Sequence, residues 1–261
     1  KGLADSVSET LSQLEMDSVP KRLWEHDASL WTNDSAGQAE VKIRLGWLDS
    51  IEDARKRLDG YLSFAKQVHD EKIDRVLVIG MGGSSLTAEV LSSLMANFGI
   101  EAKLSLAILD STDPAQVKLA SEHYPPDKAL YIIASKSGGT AELMAAFDYL
   151  WKLSNENGSR FIAITDKDTS LQKLAEEKKF RKVFNADPNV GGRFSALTDF
   201  GLVPAVLLGM DIEQLLASAE KMKNVSESVY SAGFALGAVI AESASAGRDK
   251  LTVVADASVS A

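Results

Sequence analysis

Short apolar runs alternate with helix-like stretches from residue 74 onward, and this alternation restricts the chain to few folds. Stretches such as SSLTAEVLSSLMANF and GTAELMAAFDYLWKLSNEN place apolar residues at helical spacing. Nearly continuous apolar strands between helices are typical of a parallel sheet that is covered on both faces. The sequence therefore predicts an α/β fold, a three-layer αβα sandwich around a five-stranded parallel sheet. The predicted strands are 75–80, 104–110, 129–135, 160–165 and, more weakly, 182–185.

The segments on either side of this pattern are helical in character. Residues 1–72 predict an N-terminal helical segment, and 73–225 predict the sheet domain together with the helices that follow it. Residues 226–261 predict a connecting helix and, at Lys250 to Asp256, the first strand of a further domain. Because the chain opens on Lys1 and stops just after that strand, we expect it to be a piece of a longer protein.

Composition excludes several classes of function. The formal net charge of −9 argues against nucleic acid or an anionic membrane as partner, since both need a basic surface. The absence of cysteine excludes disulfides, thiolate metal sites and a cysteine nucleophile, and it fits a reducing cytoplasm. No two of the three histidines, His26, His69 and His123, are spaced as metal ligands. The sequence thus predicts a cytoplasmic protein with no metal centre.

The first glycine-rich loop, GMGGSS at 80–85 (loop 1), follows the first predicted strand. Gly82 and Gly83 allow the backbone to approach a ligand, and the next helix offers free N–H groups at its N-terminus. A dinucleotide fingerprint needs a third glycine where Ser85 stands, although Asp110 lies where such a fold has its ribose-binding acid. A P-loop needs a lysine that this loop lacks. A dinucleotide-binding domain and an ordinary glycine turn with a serine cap remain alternatives.

The second loop, SKSGGT at 135–140 (loop 2), follows the third predicted strand and is rich in donors. Ser135, Ser137 and Thr140 each bring a hydroxyl, and Lys136 brings a positive charge. The glycine pair between them lets the backbone curl so that its amides point inward. Helix capping needs only one hydroxyl, whereas a phosphate monoester accepts many hydrogen bonds. Loop 2 therefore predicts a phosphate site.

The third loop, VGGRFS at 190–195 (loop 3), places Arg193 after a glycine pair. The guanidinium stays charged and offers a rigid fork of donors suited to an oxyanion. By itself this motif would indicate an exposed arginine in a turn. Next to the other two loops it indicates a functional residue.

Taken together, GMGGSS, SKSGGTAE and GGRFSALTDFGL, in this order and spacing, resemble the glucose-6-phosphate isomerases. That family consists of two sugar isomerase (SIS) domains, each a flavodoxin-like five-stranded parallel sheet with helices on both faces. The resemblance runs from about residue 74 to the end of the chain. RLWEHDASLW and IRLGWLD near the N-terminus resemble the isomerase part of fused transaldolase/glucose-6-phosphate isomerases.

The resemblance implies roles for particular residues. Gly83 and Ser84 match the first sugar-phosphate-binding pair of the family, and Arg193 matches the arginine that stabilises the enediolate intermediate. The phosphate-binding loop of the family matches the run Ser135, Lys136, Ser137, Gly138, Gly139 and Thr140. Many members have threonine and a bulkier residue within that run, and the form found here also occurs in other SIS proteins.

The resemblance further implies an isomerase of glycolysis and gluconeogenesis that interconverts glucose 6-phosphate and fructose 6-phosphate. It implies a homodimer that needs no cofactor. Moving a proton between adjacent carbons requires a base, and the glutamate, histidine and lysine that the family uses lie in or beyond its second SIS domain. We therefore expect residues 1–261 alone to be inactive, with Glu142 a first-turn helix acid and not the base. A regulatory SIS domain that binds a sugar phosphate without catalysis is the alternative.

Overall fold

The N-terminal segment is a set of helices that leads into the sheet. The computed structural model describes residues 2–259, so Lys1, Ser260 and Ala261 of the predicted terminal segments lie outside the described residues. The long fourth helix turns one apolar face inward, where Ala54, Phe64 and Val68 are buried. The helices are α1 (Leu3–Met16), α2 (Val19–Trp24), α3 (Ser35–Lys42) and α4 (Ser50–Asp70).

The sheet confirms the predicted five parallel strands. All neighbouring strands pair in parallel, in the order β2-β1-β3-β4-β5, which is the flavodoxin-like order. The central strands β1 and β3 run in register, with Gly80 opposite Ala134. The loops after these two strands therefore leave from the same edge of the sheet, as predicted for loops 1 and 2. The strands are β1 (Arg75–Gly80), β2 (Ser105–Leu109), β3 (Ala129–Ala134), β4 (Phe161–Asp166) and β5 (Lys182–Ala186).

Helices cover both faces of the sheet, which makes the three-layer sandwich. Alternate strand residues face opposite sides: Val78 and Ile132 belong to one core, and Ile79 and Ile133 to the other. The first core packs on α4, α5, α9 and α10, and the second on α6, α7 and α8. The helices after β1 are α5 (Leu86–Asn97), α6 (Pro114–His123), α7 (Ala141–Leu153), α8 (Ser170–Glu177), α9 (Asp199–Leu208), α10 (Ile212–Val225) and α11 (Ala232–Ser245).

The strand expected at Lys250 to Asp256 is not formed, and that prediction was wrong. The segment has no regular secondary structure, and Val254 is 91% exposed. A strand needs a neighbour to satisfy its backbone groups, and no strand within residues 2–259 pairs with this segment. Its assignment to a second SIS domain stays a prediction.

Neither a membrane span nor a metal cluster is found in the part of the chain that the structure describes. None of its helices combines the length and the apolar character that crossing a bilayer requires. Its His, Asp and Glu side chains form no group of three that could hold a metal ion.

Candidate functional site

Loops 1 and 2 meet at the carboxyl edge of the sheet because β1 and β3 are neighbours. A Cβ atom on Gly80 would lie 3.0 Å from the carbonyl oxygen of Ala134 and 3.3 Å from Cβ of Ser84. Ser84 therefore sits against the end of β3, where loop 2 begins. The structure brings these two sequence-predicted loops together.

Loop 3 reaches the same place from β5 by direct backbone contact with loop 1. A Cβ atom on Gly83 would lie only 2.4 Å from the carbonyl oxygen of Gly192, so nothing larger than glycine fits there without movement. Ser195 Oγ lies 3.0 Å from Gly83 O and 2.7 Å from Gly192 O, and its hydroxyl donates toward both carbonyls. Gly83 thus has a packing role in addition to its predicted role toward the ligand.

Within loop 2, Ser135 organises the turn. Its side chain is buried, with 3% exposed, and its Oγ accepts a hydrogen bond of 3.1 Å from Gly138 N. The same Oγ lies 3.3 Å from Thr140 Oγ1. Gly138 has a φ of 74°, and a Cβ atom there would lie 2.7 Å from Cβ of Thr169. Only glycine suits both that backbone conformation and that contact.

The N-terminus of α7, which follows loop 2, has no side-chain cap. Thr140 is the N-cap residue, but its hydroxyl accepts no hydrogen bond from the first-turn amides, and Ser85 likewise leaves α5 uncapped. In contrast, Asp113 caps α6 and Thr169 caps α8. The two crossover helices that begin at loops 1 and 2 therefore keep free N–H groups and the positive end of the helix dipole, which is an arrangement that favours an anion.

Lys136 makes contacts that its sequence position did not predict. Its Nζ donates to Asp166 Oδ2 at 2.7 Å and to Pro188 O at 2.8 Å, which ties loop 2 to β4 and to the chain after β5. Burial raises the pKa of the Asp166 carboxyl, while the hydrogen bond from Lys136 opposes that rise. Within residues 2–259, the buried Asp166 Oδ1 has no hydrogen-bond partner. The role of Lys136 as a direct phosphate ligand stays a prediction.

The other predicted ligands remain accessible. Ser137, Gly139 and Arg193 are exposed, and Ser84 is half-buried. Among residues 2–259, no hydrogen bond or ion pair engages the Arg193 guanidinium. These groups are free to meet a ligand at the shared edge.

The two acids considered from the sequence are both exposed to solvent. Asp110 is exposed just after β2, and Glu142 is exposed in the first turn of α7. Sequence reasoning missed Asp166 and the linking role of Ser195. Both could have been found, since Asp166 ends the strand next to β3 and Ser195 belongs to the third motif.

An apolar pocket of about 530 Å³ lies between the N-terminal helices and the last two helices, and its wall includes Trp47, which stacks on Phe194 of loop 3. Leu14, Trp24, Met222 and Phe234 contribute to its walls. Because these side chains offer almost no donors, the pocket does not have the chemistry of a phosphate site. The three loops instead form an open edge of the sheet, where Ser137, Gly139 and Arg193 are exposed.

The three loops lie together at the carboxyl edge of an α/β domain, and among residues 2–259 no partner engages the Arg193 guanidinium there. The family model of phosphoglucose isomerase matches residues 50–231. The chain therefore belongs to the phosphoglucose isomerase family, and the resemblance found in the sequence is confirmed. The proposed transaldolase fusion stays a prediction.

Curated relatives and solved structures agree with this family. The chain is 36% identical over 161 residues to a glucose-6-phosphate isomerase of Prochlorococcus marinus, an alignment that covers 59% of this chain and 30% of that protein. It is 31% identical over 180 residues to the glucose-6-phosphate isomerase of Campylobacter jejuni, covering 67% and 43%. The chain thus spans well under half the length of these relatives.

Two crystal structures share the fold. A hypothetical protein from Thermus thermophilus superposes with a TM-score of 0.69 at 26% identity, over 86% of this chain and 51% of that chain. A glucose-6-phosphate isomerase from Chlamydia trachomatis gives 0.60 at 17% identity, over 85% and 46%. The second likeness concerns the fold alone.

Proposed function

We propose that this chain binds the phosphate of a hexose 6-phosphate between loops 1 and 2 and supplies Arg193 to an aldose–ketose isomerase. In the whole protein the reaction would interconvert glucose 6-phosphate and fructose 6-phosphate through an enediolate. The single observation that carries the proposal is the pair of uncapped helices, α5 and α7, that begin at adjacent loops rich in hydroxyls and glycine.

The phosphate would be held by backbone amides and hydroxyls. The first-turn amides of α7 supply directed N–H groups, and Ser137 and Ser84 supply accessible hydroxyls. Hydrogen bonds to a charged ligand are worth about 1.5–3 kcal/mol each, so a few of them overcome the repulsion expected from an acidic protein. Lys136 would act mainly by holding loop 2 in shape through Asp166.

Arg193 would act on the sugar end of the substrate. Its guanidinium has no protein partner to give up within residues 2–259, and loop 3 contacts loop 1 beside the proposed phosphate site. A planar fork of donors suits the enediolate, whose oxygens gain negative charge as the proton leaves carbon.

The base is proposed to lie outside residues 1–261. Proton transfer between carbons needs a positioned acceptor, and two acids near this edge, the partly buried Asp166 and the buried Asp199, are already paired with Lys136 and Arg57. We propose that residues 1–261 bind substrate without turning it over. The whole protein is proposed to act in the cytoplasm as a homodimer without metal or nucleotide, as the resemblance implies.

Calorimetric titration with fructose 6-phosphate, arabinonate 5-phosphate and NAD tests this assignment. We expect both sugar phosphates to bind, NAD not to bind, and Ser84→Ala/Ser137→Ala to weaken sugar-phosphate binding by about 100-fold or more, since two hydrogen bonds to a charged group are removed. Ser159→Ala, a change of an exposed hydroxyl just before β4 at the opposite edge, is the control and should bind as the wild type does.

Two results would contradict the proposal. Unchanged affinity in the double variant would remove these hydroxyls of loops 1 and 2 from the site. Rapid isomerisation by purified residues 1–261 would place the base within them, and Glu142 would then be the first residue to replace.

A further inference from the structure

A buried carboxylate follows loop 3 in the chain, at the start of α9. Asp199 is the first residue of α9, four positions after Ser195, and only 1% of it is exposed. Its Oδ2 accepts a bond of 2.6 Å from Arg57 Nη1, and its Oδ1 accepts one of 3.0 Å from Tyr61 Oη. Arg57 and Tyr61 are one turn apart on α4, so both oxygens of the carboxylate are held by the same helix.

This network continues in both directions. Arg57 Nη1 also donates to Asn185 O at 3.0 Å, near the end of β5. On the other side, Thr198 Oγ1 donates to Ser195 O at 2.7 Å, and the Ser195 hydroxyl reaches Gly83 O in loop 1. These hydrogen bonds, joined through the chain between Thr198 and Asp199, connect α4 and β5 to the backbone of loops 1 and 3.

Stability alone does not explain a buried charge at this position. Removing two charges from water costs so much that well-packed apolar residues are often as stable as a buried ion pair. An ion pair whose members are also hydrogen-bonded fixes the relative orientation of the segments that it joins, because each bond fixes an angle as well as a distance.

Loop 3 needs such a fixed anchor. The Arg193 guanidinium has no partner of its own within residues 2–259, so the backbone of loop 3 decides where it points. Before Ser195 that backbone is held by the contact of Gly192 with Gly83 and by the ring of Phe194, which stacks on Trp47 at 5.4 Å. After loop 3, Asp199 at the start of α9 is the next residue whose side chain bonds to another element of the fold, namely α4.

We propose that Asp199 is a positioning residue, which sets the orientation of Arg193 by pinning the junction of loop 3 and α9 to Arg57 and Tyr61 of α4. The role of Arg193 in this statement rests on the proposed function. The positioning of loop 3 by Asp199 does not depend on the proposed function, and it is measured separately.

Hydrogen exchange of the loop 3 amides tests the positioning. The amides of Phe194 and Thr198 donate to Gly191 O and Ser195 O and should be protected in the wild type. Asp199→Asn should speed their exchange by about tenfold or more, the factor that one lost hydrogen bond to a charged group corresponds to, while the amides of β3 keep their protection. Tyr61→Phe removes one of the two bonds and keeps the ion pair, so a smaller change is expected. If Asp199→Asn does not fold, the exchange of the loop 3 amides is measured in Tyr61→Phe instead.

A double variant separates positioning from simple stability. Arg57→Met/Asp199→Leu removes the buried carboxylate together with its partly exposed partner, so its thermal stability should return toward that of the wild type, whereas loop 3 should stay as exposed to exchange as in Asp199→Asn. Glu71→Gln breaks the ion pair between the far end of α4 and Arg181 and should leave loop 3 unchanged.

Kinetics of the whole protein give the second measurement. Asp199→Asn should lower kcat by up to about 100-fold, the loss that a misplacement of about 1 Å can cause, with KM little changed because loop 2 is untouched. Two results would overturn the proposal. One is that the loop 3 amides of Asp199→Asn exchange as slowly as those of the wild type. The other is that the double variant regains the protection of loop 3 together with its stability. If the wild-type protein binds no sugar phosphate, the proposed function is refuted. The exchange measurements then still test whether Asp199 positions loop 3.

Discussion

Gly83 is a position at which one added methyl group should disturb the contact between loops 1 and 3. A Cβ atom on Gly83 would lie 2.4 Å from Gly192 O and 2.6 Å from Gly192 C. Both atoms belong to backbone, so no side chain can swing aside. Bringing the shorter contact to 3.0 Å requires loops 1 and 3 to separate by 3.0 − 2.4 = 0.6 Å at least.

The cost follows from what that separation breaks. Overpacking by one methylene costs about 1–3 kcal/mol, and the hydrogen bond from Ser195 Oγ to Gly83 O, now 3.0 Å long, contributes about 0.5–1.5 kcal/mol. Gly83→Ala should therefore lower the free energy of unfolding by about 2–4 kcal/mol. In a domain of this size the melting temperature should fall by roughly 5–10 °C.

Gly139→Ala is the matched control, because it adds the same methyl group in loop 2. A Cβ atom on Gly139 would meet its nearest neighbour, Ser170 Oγ, at 3.8 Å, which is ordinary contact, and φ at Gly139 is not positive. Urea titration and thermal melts of both variants, with fructose 6-phosphate affinity measured on each, give the comparison. If Gly83→Ala is as stable as Gly139→Ala, the backbone contact between loops 1 and 3 is not what holds them together.

Two further predictions concern charge. Hydrogen bonds from Arg181 hold the pKa of Glu71 below its usual 4.5, so the stabilisation from this pair is present above that pH and is lost as the pH falls through the folded-state pKa. In urea titrations, Glu71→Gln should be less stable than the wild type by about 0.2–1 kcal/mol at neutral pH, and the two proteins should converge once the pH has fallen below the folded-state pKa of Glu71; a gap that persists in acid would contradict the assignment. Arg193→Lys should lower kcat of the whole protein more than it weakens fructose 6-phosphate binding, because lysine keeps the charge and loses the fork. Equal losses in both quantities, in steady-state kinetics and titration, would speak against a role in the enediolate step.

The sequence by itself determined the sheet and the edge at which the site lies. Strands such as Ala129–Ala134 are buried on both faces and therefore read as unbroken apolar runs, with loop glycines and helix patterns marking their ends. Once the strands are parallel, right-handed crossovers place loops 1 and 2 on one edge without further information. The roles proposed for those loops could be inferred from the sequence, because donor-rich turns carry their chemistry in local sequence; those roles stay predictions.

Tertiary structure alone decided the contacts between distant segments. The Lys136–Asp166 pair and the Gly83–Gly192 contact join residues 30 and 109 positions apart (166 − 136 and 192 − 83), and Asp199 lies 142 positions from Arg57. No periodicity or spacing encodes such pairs, since they arise from how whole elements pack. The failed strand at 250–256 has the same cause: its apolar pattern is suitable, but a strand exists only where another backbone pairs with it, and within residues 2–259 none does.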